Sequence, residues 1–138
     1  MIARWPGKIK PNSQTDHISA FWDVLSTLCD IADTEPSKNI DGISFLPAML
    51  GKRQKKHEYL YWEFHERGGK QAVRMGKWKA VRLNASSNPN PPIQLYDLDK
   101  DVSEKNNIAD KFPDIVAKMN DTMKSARVHS DMWPFYKG

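Results

Sequence analysis

One aromatic-rich stretch, residues 59–84, constrains the fold more than any other part of the chain. It reads YLYWEFHERGGKQAVRMGKWKAVRLN, in which aromatic and β-branched residues form three runs separated by glycines. Such runs are typical of strands, and glycines favour the points where a chain reverses. In the first run Leu60, Trp62 and Phe64 alternate with Tyr61 and Glu63, a period of two that indicates a half-buried strand. The stretch therefore predicts three strands joined by short connections.

The turn between the second and third runs is predicted at Met75 and Gly76. This turn would place Val73 opposite Trp78. Side chains of similar character would then share a face of the sheet. The apolar face would hold Val73, Trp78 and Ala80, and the basic face would hold Arg74, Lys77 and Lys79.

The chain after this stretch predicts one more strand and a covering helix. Residues 93–98 form the strand, and Pro113 suits the first turn of the helix. Apolar residues recur at helical spacing after it: Phe112, Ile115, Val116, Met119, Met123 and Ala126. The prediction is an α+β fold, with an antiparallel sheet of about four strands and the C-terminal helix packed on one face. The aromatic tail MWPFYKG is expected to fold back on this domain.

The first part of the chain predicts a separate layer of one strand and one helix. The strand spans residues 2–5, and the helix ends near Asp33. The apolar stripe of this helix consists of Ile18, Phe21, Trp22, Leu25, Leu28, Cys29 and Ala32. A lone strand leaves backbone groups unpaired, so this layer is expected to be the edge of a larger α/β domain. Its uncovered stripe predicts a dimer or higher oligomer built through it.

Composition restricts the class of protein only weakly. The net charge of +4 and the pI of about 9.2 suit a solvated surface or an anionic partner, either nucleic acid or a sulfated or phosphorylated substrate. Cys29 is the single cysteine, so it has no internal disulfide partner, and we expect it to be a small buried apolar residue. The chain has no membrane-length apolar run and no signal-peptide core at its start.

No complete catalytic motif stands in the sequence. The glycines lack the spacing of a phosphate-binding loop, and there is no nucleophile elbow. The four histidines are scattered, and none has an acidic partner at metal-ligand spacing. We therefore predict no catalytic residue and no metal ligand in this chain.

Several segments occur in a fixed order: RWPGKIKP, FWDVLSTL, DGISFLPAMLGK, YLYWEFHE, AVRMGKWKAVR and LYDLDKDVSEKNNIA. In this order they resemble the C-terminal part of a sulfatase, within the alkaline phosphatase superfamily. The last segment, where the final strand leads toward the final helix, is the most specific. The chain departs from the family at Ser26, where sulfatases usually have proline.

The resemblance implies that the catalytic machinery lies in a preceding N-terminal domain. The family's nucleophile is a Cys or Ser in a C/S-x-P-x-R motif that becomes formylglycine, and its acidic residues bind calcium. Cys29 is followed by Asp30 and Ile31, so it does not match the motif. Residues 1–51 would be the edge strand, helix and loop that end the catalytic domain, and residues 52–138 the C-terminal subdomain. The family also implies a periplasmic, secreted or lysosomal setting.

Two functions follow as hypotheses. In the first, the chain is a C-terminal fragment of a sulfatase that is not catalytic alone, and Glu63, His65, Arg74 and Lys79 form one face that contacts a sulfated glycan. In the second, it is an independent basic module that binds nucleic acid with Tyr59 and Tyr61 exposed on the sheet. The position of the aromatic side chains distinguishes the two hypotheses.

Overall fold

The computed structural model describes residues 1–88 and 90–135. The chain divides into two compact units, Met1–His57 and Glu58–Gly138. The first unit contains helix α1, Asp23–Ile31, and the one-turn helix α2, Leu46–Met49. The last three residues of the predicted tail lie outside the described residues.

The second unit is built on an antiparallel sheet of four strands in the order β1-β2-β3-β4. The strands are β1 (Leu60–Phe64), β2 (Lys70–Met75), β3 (Trp78–Leu83) and β4 (Ile93–Asp97). A 3-10 helix, Ala109–Lys111, precedes helix α3, Pro113–Ala126. The predicted α+β fold is confirmed.

The turn between β2 and β3 lies one residue later than predicted. Met75 pairs with Trp78, so Gly76 and Lys77 form the turn. Gly76 has φ +57°, a left-handed conformation that glycine adopts without the steric cost of a Cβ atom. Because the turn moves by one residue, the partner of Val73 changes by two positions, from Trp78 to Ala80. The predicted apolar face of Val73, Trp78 and Ala80 survives the shift, because side chains still alternate in the same phase.

The core lies between the sheet and α3. Val73 and Ala80 are fully buried with Leu95 from β4, and Met119 and Met123 of α3 pack on them. Pro113 begins α3, as predicted, because the first helical position needs no N–H donor. The apolar stripe of α3 and the apolar sheet face therefore meet as the sequence predicted.

The opposite face of the sheet is partly open. Leu60 is buried, but Trp62 and Phe64 are 37% and 47% exposed. Helix α3 therefore covers the face that carries Tyr61, which pairs with Val73 in the sheet.

The first unit differs from its prediction in two respects. Residues 2–5 form no strand, because the described part of the chain offers them no strand partner. Helix α1 buries Asp23, Ser26 and Thr27, and its apolar stripe is largely uncovered, as predicted, with Phe21 at 89%. Cys29, which was expected to be buried, is half-buried.

Candidate functional site

The four predicted substrate residues do not share a face. Leu60, Arg74 and Lys79 are cross-strand neighbours, whereas Glu63 pairs with Gln71 on the side that α3 covers. Directly opposed residues in an antiparallel pair project to the same face. The predicted single face was therefore wrong: the sequence indicated the alternation within each strand correctly, but not the register between β1 and β2.

Glu63 and His65 lie in a polar cluster on the α3 side of the sheet. Arg127 Nε is 3.1 Å from Glu63 Oε1, and His65 Nε2 is 3.6 Å from Glu63 Oε2. Tyr61 donates its hydroxyl proton to Glu63, and Gln71 Nε2 donates to the Tyr61 oxygen at 2.8 Å. Burial, followed by the hydrogen bond to Glu63, raises the pKa of Tyr61. Glu63 is thus committed to partners within the chain.

Aromatic rings cover this cluster. Phe135 is 1% exposed and meets the His65 ring edge-on at 5.1 Å, and the Trp133 ring lies 5.7 Å from His65. Phe135 belongs to the predicted returning tail, which is confirmed at this residue. The arrangement holds Glu63 and His65 in place and leaves them little contact with solvent.

Arg74 and Lys79 border a cavity of about 390 Å³ on the open face of the sheet, with Trp62, Ala72, Leu98, Val102 and Glu104. Lys79 Nζ lies 2.6 Å from Glu104 Oε1. Arg74 Nε donates to the Gly76 carbonyl at 3.0 Å, and no carboxylate of the described residues forms an ion pair with Arg74. A guanidinium without a carboxylate partner beside an indole can bind an anionic group on a ligand with an apolar surface.

Tyr61 does not form the predicted nucleic-acid platform with Arg74 and Lys79. Tyr61 lies on the α3 side, and its hydroxyl is held by Glu63 and Gln71. Arg74 and Lys79 lie on the other face. Base stacking beside a basic surface needs both groups on one face.

The sequence analysis missed a buried polar node in the first unit. The Asp23 carboxylate is fully buried and accepts hydrogen bonds from the backbone N–H groups of Ala20 at 2.7 Å and Ile43 at 2.9 Å. His57 Nε2 lies 2.8 Å from Asp23 Oδ1. Thr27 Oγ1 donates to the Asp23 carbonyl and accepts from Phe45 N. The one signal in the sequence was that two polar residues, Asp23 and Thr27, lie one helical turn apart inside an apolar segment.

Ser26, at the position where the resemblance implied a proline, contributes to the same region. Its hydroxyl donates to the Gly42 carbonyl at 2.9 Å. A Cβ atom on Gly42 would lie 2.5 Å from the Trp22 carbonyl oxygen, so the close approach requires glycine. The serine therefore adds a bond that a proline side chain lacks.

The described residues contain neither a metal-binding cluster nor a membrane-spanning helix. Among residues 1–88 and 90–135, no three His, Cys, Asp or Glu side chains are grouped so that they could hold a metal ion. No helix in this part of the chain is long and apolar enough to cross a membrane.

Comparison with known proteins shows which family the chain resembles. Residues 1–129 match the family described as N-sulphoglucosamine sulphohydrolase, C-terminal. The chain is 28% identical to an N-acetylgalactosamine-6-O-sulfatase of Bacteroides thetaiotaomicron, over 91% of this chain and 26% of that protein. It is 30% identical to arylsulfatase K of Bos taurus, over 91% of this chain and 24% of that protein.

A solved structure agrees with these relatives. A 2-O GAG sulfatase shares 29% identity and superposes with a TM-score of 0.64, over 75% of this chain and 23% of that one. The chain thus spans about a quarter of the length of the relatives it matches. These matches give no support to a nucleic-acid-binding module. The chain belongs to the C-terminal region family of the sulfatases, within the alkaline phosphatase superfamily.

Proposed function

We propose that this chain is the C-terminal region of a sulfuric ester hydrolase for sulfated glycans, and that the Arg74 cavity lines its substrate pocket. The observation that carries the proposal is the position of Arg74, which has no carboxylate partner among the described residues and borders a cavity with Trp62. Two relatives are named for sulfated sugars, an N-acetylgalactosamine-6-O-sulfatase and a 2-O GAG sulfatase. Their names support a substrate with the same chemistry.

Each residue of the cavity has a distinct part in this proposal. The Arg74 fork binds a sulfate or carboxylate group of the sugar with paired hydrogen bonds. Lys79, held by Glu104, adds positive charge beside it. The Trp62 indole packs against the apolar face of the sugar ring.

Glu63 and His65 contribute less to substrate binding in this proposal. Their polar atoms face Arg127 and each other, so they position the end of β1 and contact substrate only at its edge. This division replaces the single contact face expected from the sequence.

The hydrolytic step belongs to residues outside this chain. Formylglycine would supply the nucleophile and calcium would bind the sulfate group, as in the family, but the described residues form no calcium cluster and Cys29 is not in a C/S-x-P-x-R motif. The partner of this chain is then an N-terminal catalytic domain. Residues 1–51 would complete that domain, and residues 52–138 would form the C-terminal subdomain. The chain by itself is expected not to turn over an aryl sulfate in the presence of calcium, and turnover above a heat-treated sample would contradict this assignment.

The test uses the protein that joins this chain to such a catalytic domain. Turnover of a natural sulfated sugar is compared with turnover of a small aryl sulfate in Arg74→Ala, with His65→Ala as the second variant. Because charged hydrogen bonds contribute about 1.5–3 kcal/mol, Arg74→Ala should lower kcat/KM for the sugar by roughly 10- to 100-fold and leave the aryl sulfate unchanged.

Lys70→Ala is the matched control. Lys70 is a cation at the end of β2 that lies over the Phe64 ring and does not line the cavity. It should leave both rates unchanged. Equal losses on the two substrates in Arg74→Ala would refute a role of this cavity in sugar binding.

A further inference from the structure

Arg82 is a buried cation in the middle of β3. It is 3% exposed and lies on the face that α3 covers. Its guanidinium donates to Gln71 Oε1 at 3.1 Å and to Asn120 Oδ1 on α3. Both partners are neutral, and the Nε atom of Arg82 has no hydrogen-bond partner among the described residues. A buried charge normally has an opposite charge beside it, because burial without one is costly.

The neighbouring charges do not balance Arg82. The carboxylate nearest along the hydrogen-bond network is Glu63, which Gln71 connects to Arg82. Glu63 already pairs with Arg127 at 3.1 Å. Among the described residues this network contains the Arg82 and Arg127 guanidinium groups and one carboxylate, and none of these residues places a carboxylate in an ion pair with Arg82.

Arg82 borders a cavity of about 600 Å³. Its walls are mostly small or rigid apolar groups from the segment before β4, the 3-10 helix and the start of α3. The lining includes Pro91, Pro92, Ala109, Pro113, Val116 and Ala117, together with the polar residues Asn90, Asp110 and Asn120. Asp110 is exposed and forms no ion pair with Arg82. A volume of this size accepts a small ligand.

The first turn of α3 favours an anion in the same cavity. Pro113 and Val116 line the cavity, and α3 has no side-chain cap at its N-terminus. The N-terminal end of a helix carries partial positive charge. Asp114, an exposed carboxylate in the same turn, offsets part of this charge, so the buried guanidinium remains the principal contribution.

We infer that this cavity is a binding site for a small oxyanion, a sulfate or a carboxylate, with the Arg82 guanidinium as its main ligand and Asn120 beside it. The anion supplies the charge that the buried network lacks. The site lies on the opposite side of the sheet from the Arg74 cavity, and the inference does not rest on sulfatase activity.

The test is a thermal unfolding series on the full 138-residue chain. Sodium sulfate and sodium glucuronate are added separately at constant ionic strength, with sodium chloride as reference. A ligand that binds only the folded state raises the unfolding midpoint. Sulfate also stabilises proteins by exclusion from their surfaces. The midpoint shift of a variant without the site must therefore be subtracted from that of the wild-type chain.

Asn120→Asp is that variant. It places a carboxylate against the Arg82 guanidinium, so it should supply the missing charge without removing any buried group. We expect the variant to bind sulfate and glucuronate at least about tenfold more weakly than the wild-type chain, as the loss of a charged hydrogen bond to the anion implies. Lys70→Gln, which removes a cation that lines neither cavity, should retain the wild-type midpoint shift.

Titration calorimetry on the same proteins gives the affinities directly. Saturable binding of either anion that is lost in Asn120→Asp and kept in Lys70→Gln establishes the site, and the anion that binds more tightly identifies its chemistry. Absence of saturable binding to the wild-type chain, or equal binding to Asn120→Asp, overturns the inference.

Discussion

Helices α1 and α3 have amphipathic sequences but bury opposite kinds of side chain. Helix α3 buries Met119 and Met123 against the sheet of its own unit. Helix α1 buries Asp23 and Thr27. The apolar residues just before it and on its other side are exposed: Phe21, Leu25, Leu28 and Ile31. An apolar stripe predicts that a face will be covered, but not which part of a protein covers it.

The two units are consequently stabilised by different interactions. The second unit has an apolar core in which the free energy comes mainly from removing side chains from water. The first unit depends on hydrogen bonds to one buried carboxylate, which joins α1 to the segments around Ile43 and His57. The predictions below test this difference, beginning with the largest expected effect.

Removal of the Asp23 carboxylate should have the largest effect. Asp23→Ala leaves two backbone N–H groups and His57 without their acceptor, and breaking such a buried pair typically costs about 3–5 kcal/mol. Amide hydrogen exchange should therefore quicken throughout Met1–His57. Asp16→Ala, at an exposed position, is the control. Unchanged exchange in Asp23→Ala would show that the node does not hold the first unit together.

Truncation in the apolar core comes next. Met119→Ala removes a side chain that is 1% exposed, and such changes typically cost about 2–5 kcal/mol. The urea midpoint of the second unit should fall accordingly. Met132→Ala is a matched control, because Met132 is 93% exposed and should change the midpoint little. Equal midpoints for Met119→Ala and the wild-type chain would contradict the packing of α3 on the sheet.

Much of the second unit could be predicted because its signals are local. Alternation in β1, the glycine at the β2–β3 turn and the stripe of α3 each depend on a few neighbouring residues. The pairing of β1 with β2 depends on the loop at Gly68 and Gly69, both with positive φ, and its register is not encoded in the alternation. For this reason the sequence predicted Glu63 and Arg74 on one face, whereas in the structure they lie on opposite faces of the sheet.

The polar nodes could not be predicted because their partners are distant in sequence. Asp23 and His57 are separated by 34 positions, and Arg82 and Asn120 by 38. Each is an ordinary polar residue until the fold brings it beside its partner. Residues 67–96, which include β3, contain no acidic residue, so only the fold could bring a carboxylate beside Arg82.

Acidification is a third test of the difference between the units, because it should lower stability through His17 in the first unit. Burial lowers the pKa of His17 from 6.5; the charges of His57 and Lys56 also lower it, and Asp23 opposes them. Both ring nitrogens are buried without a hydrogen-bond partner among the described residues. The folded state therefore keeps His17 neutral to a lower pH than the unfolded state, which gains a proton as the pH falls through 6.5. Its contribution to stability is present above that pH and is lost below it.

The measurement is the free energy of unfolding between pH 7.5 and pH 5. His17→Phe should flatten the decline, because the substituted ring cannot be protonated. His129→Gln, at an exposed position, should retain the wild-type slope. A slope in His17→Phe as steep as that of the wild-type chain would exclude His17 as its source.

The smallest effect on stability is expected at the exposed side of α1, where the effect on association should be clear. Phe21, Leu25 and Leu28 are 89%, 52% and 56% exposed and lie within two helical turns. Contiguous exposed apolar side chains favour association, so the 138-residue chain should form a dimer or higher oligomer through this face.

Leu25→Lys should shift sedimentation toward the monomer and leave the unfolding midpoint almost unchanged, because the Leu25 side chain makes few contacts within its unit. Val102→Lys, at an apolar position 81% exposed in the second unit, should leave association as it is. A wild-type chain that sediments as a monomer at high concentration would show that the exposed side of α1 does not pair with a second copy, and that the amphipathic pattern of this helix serves another partner.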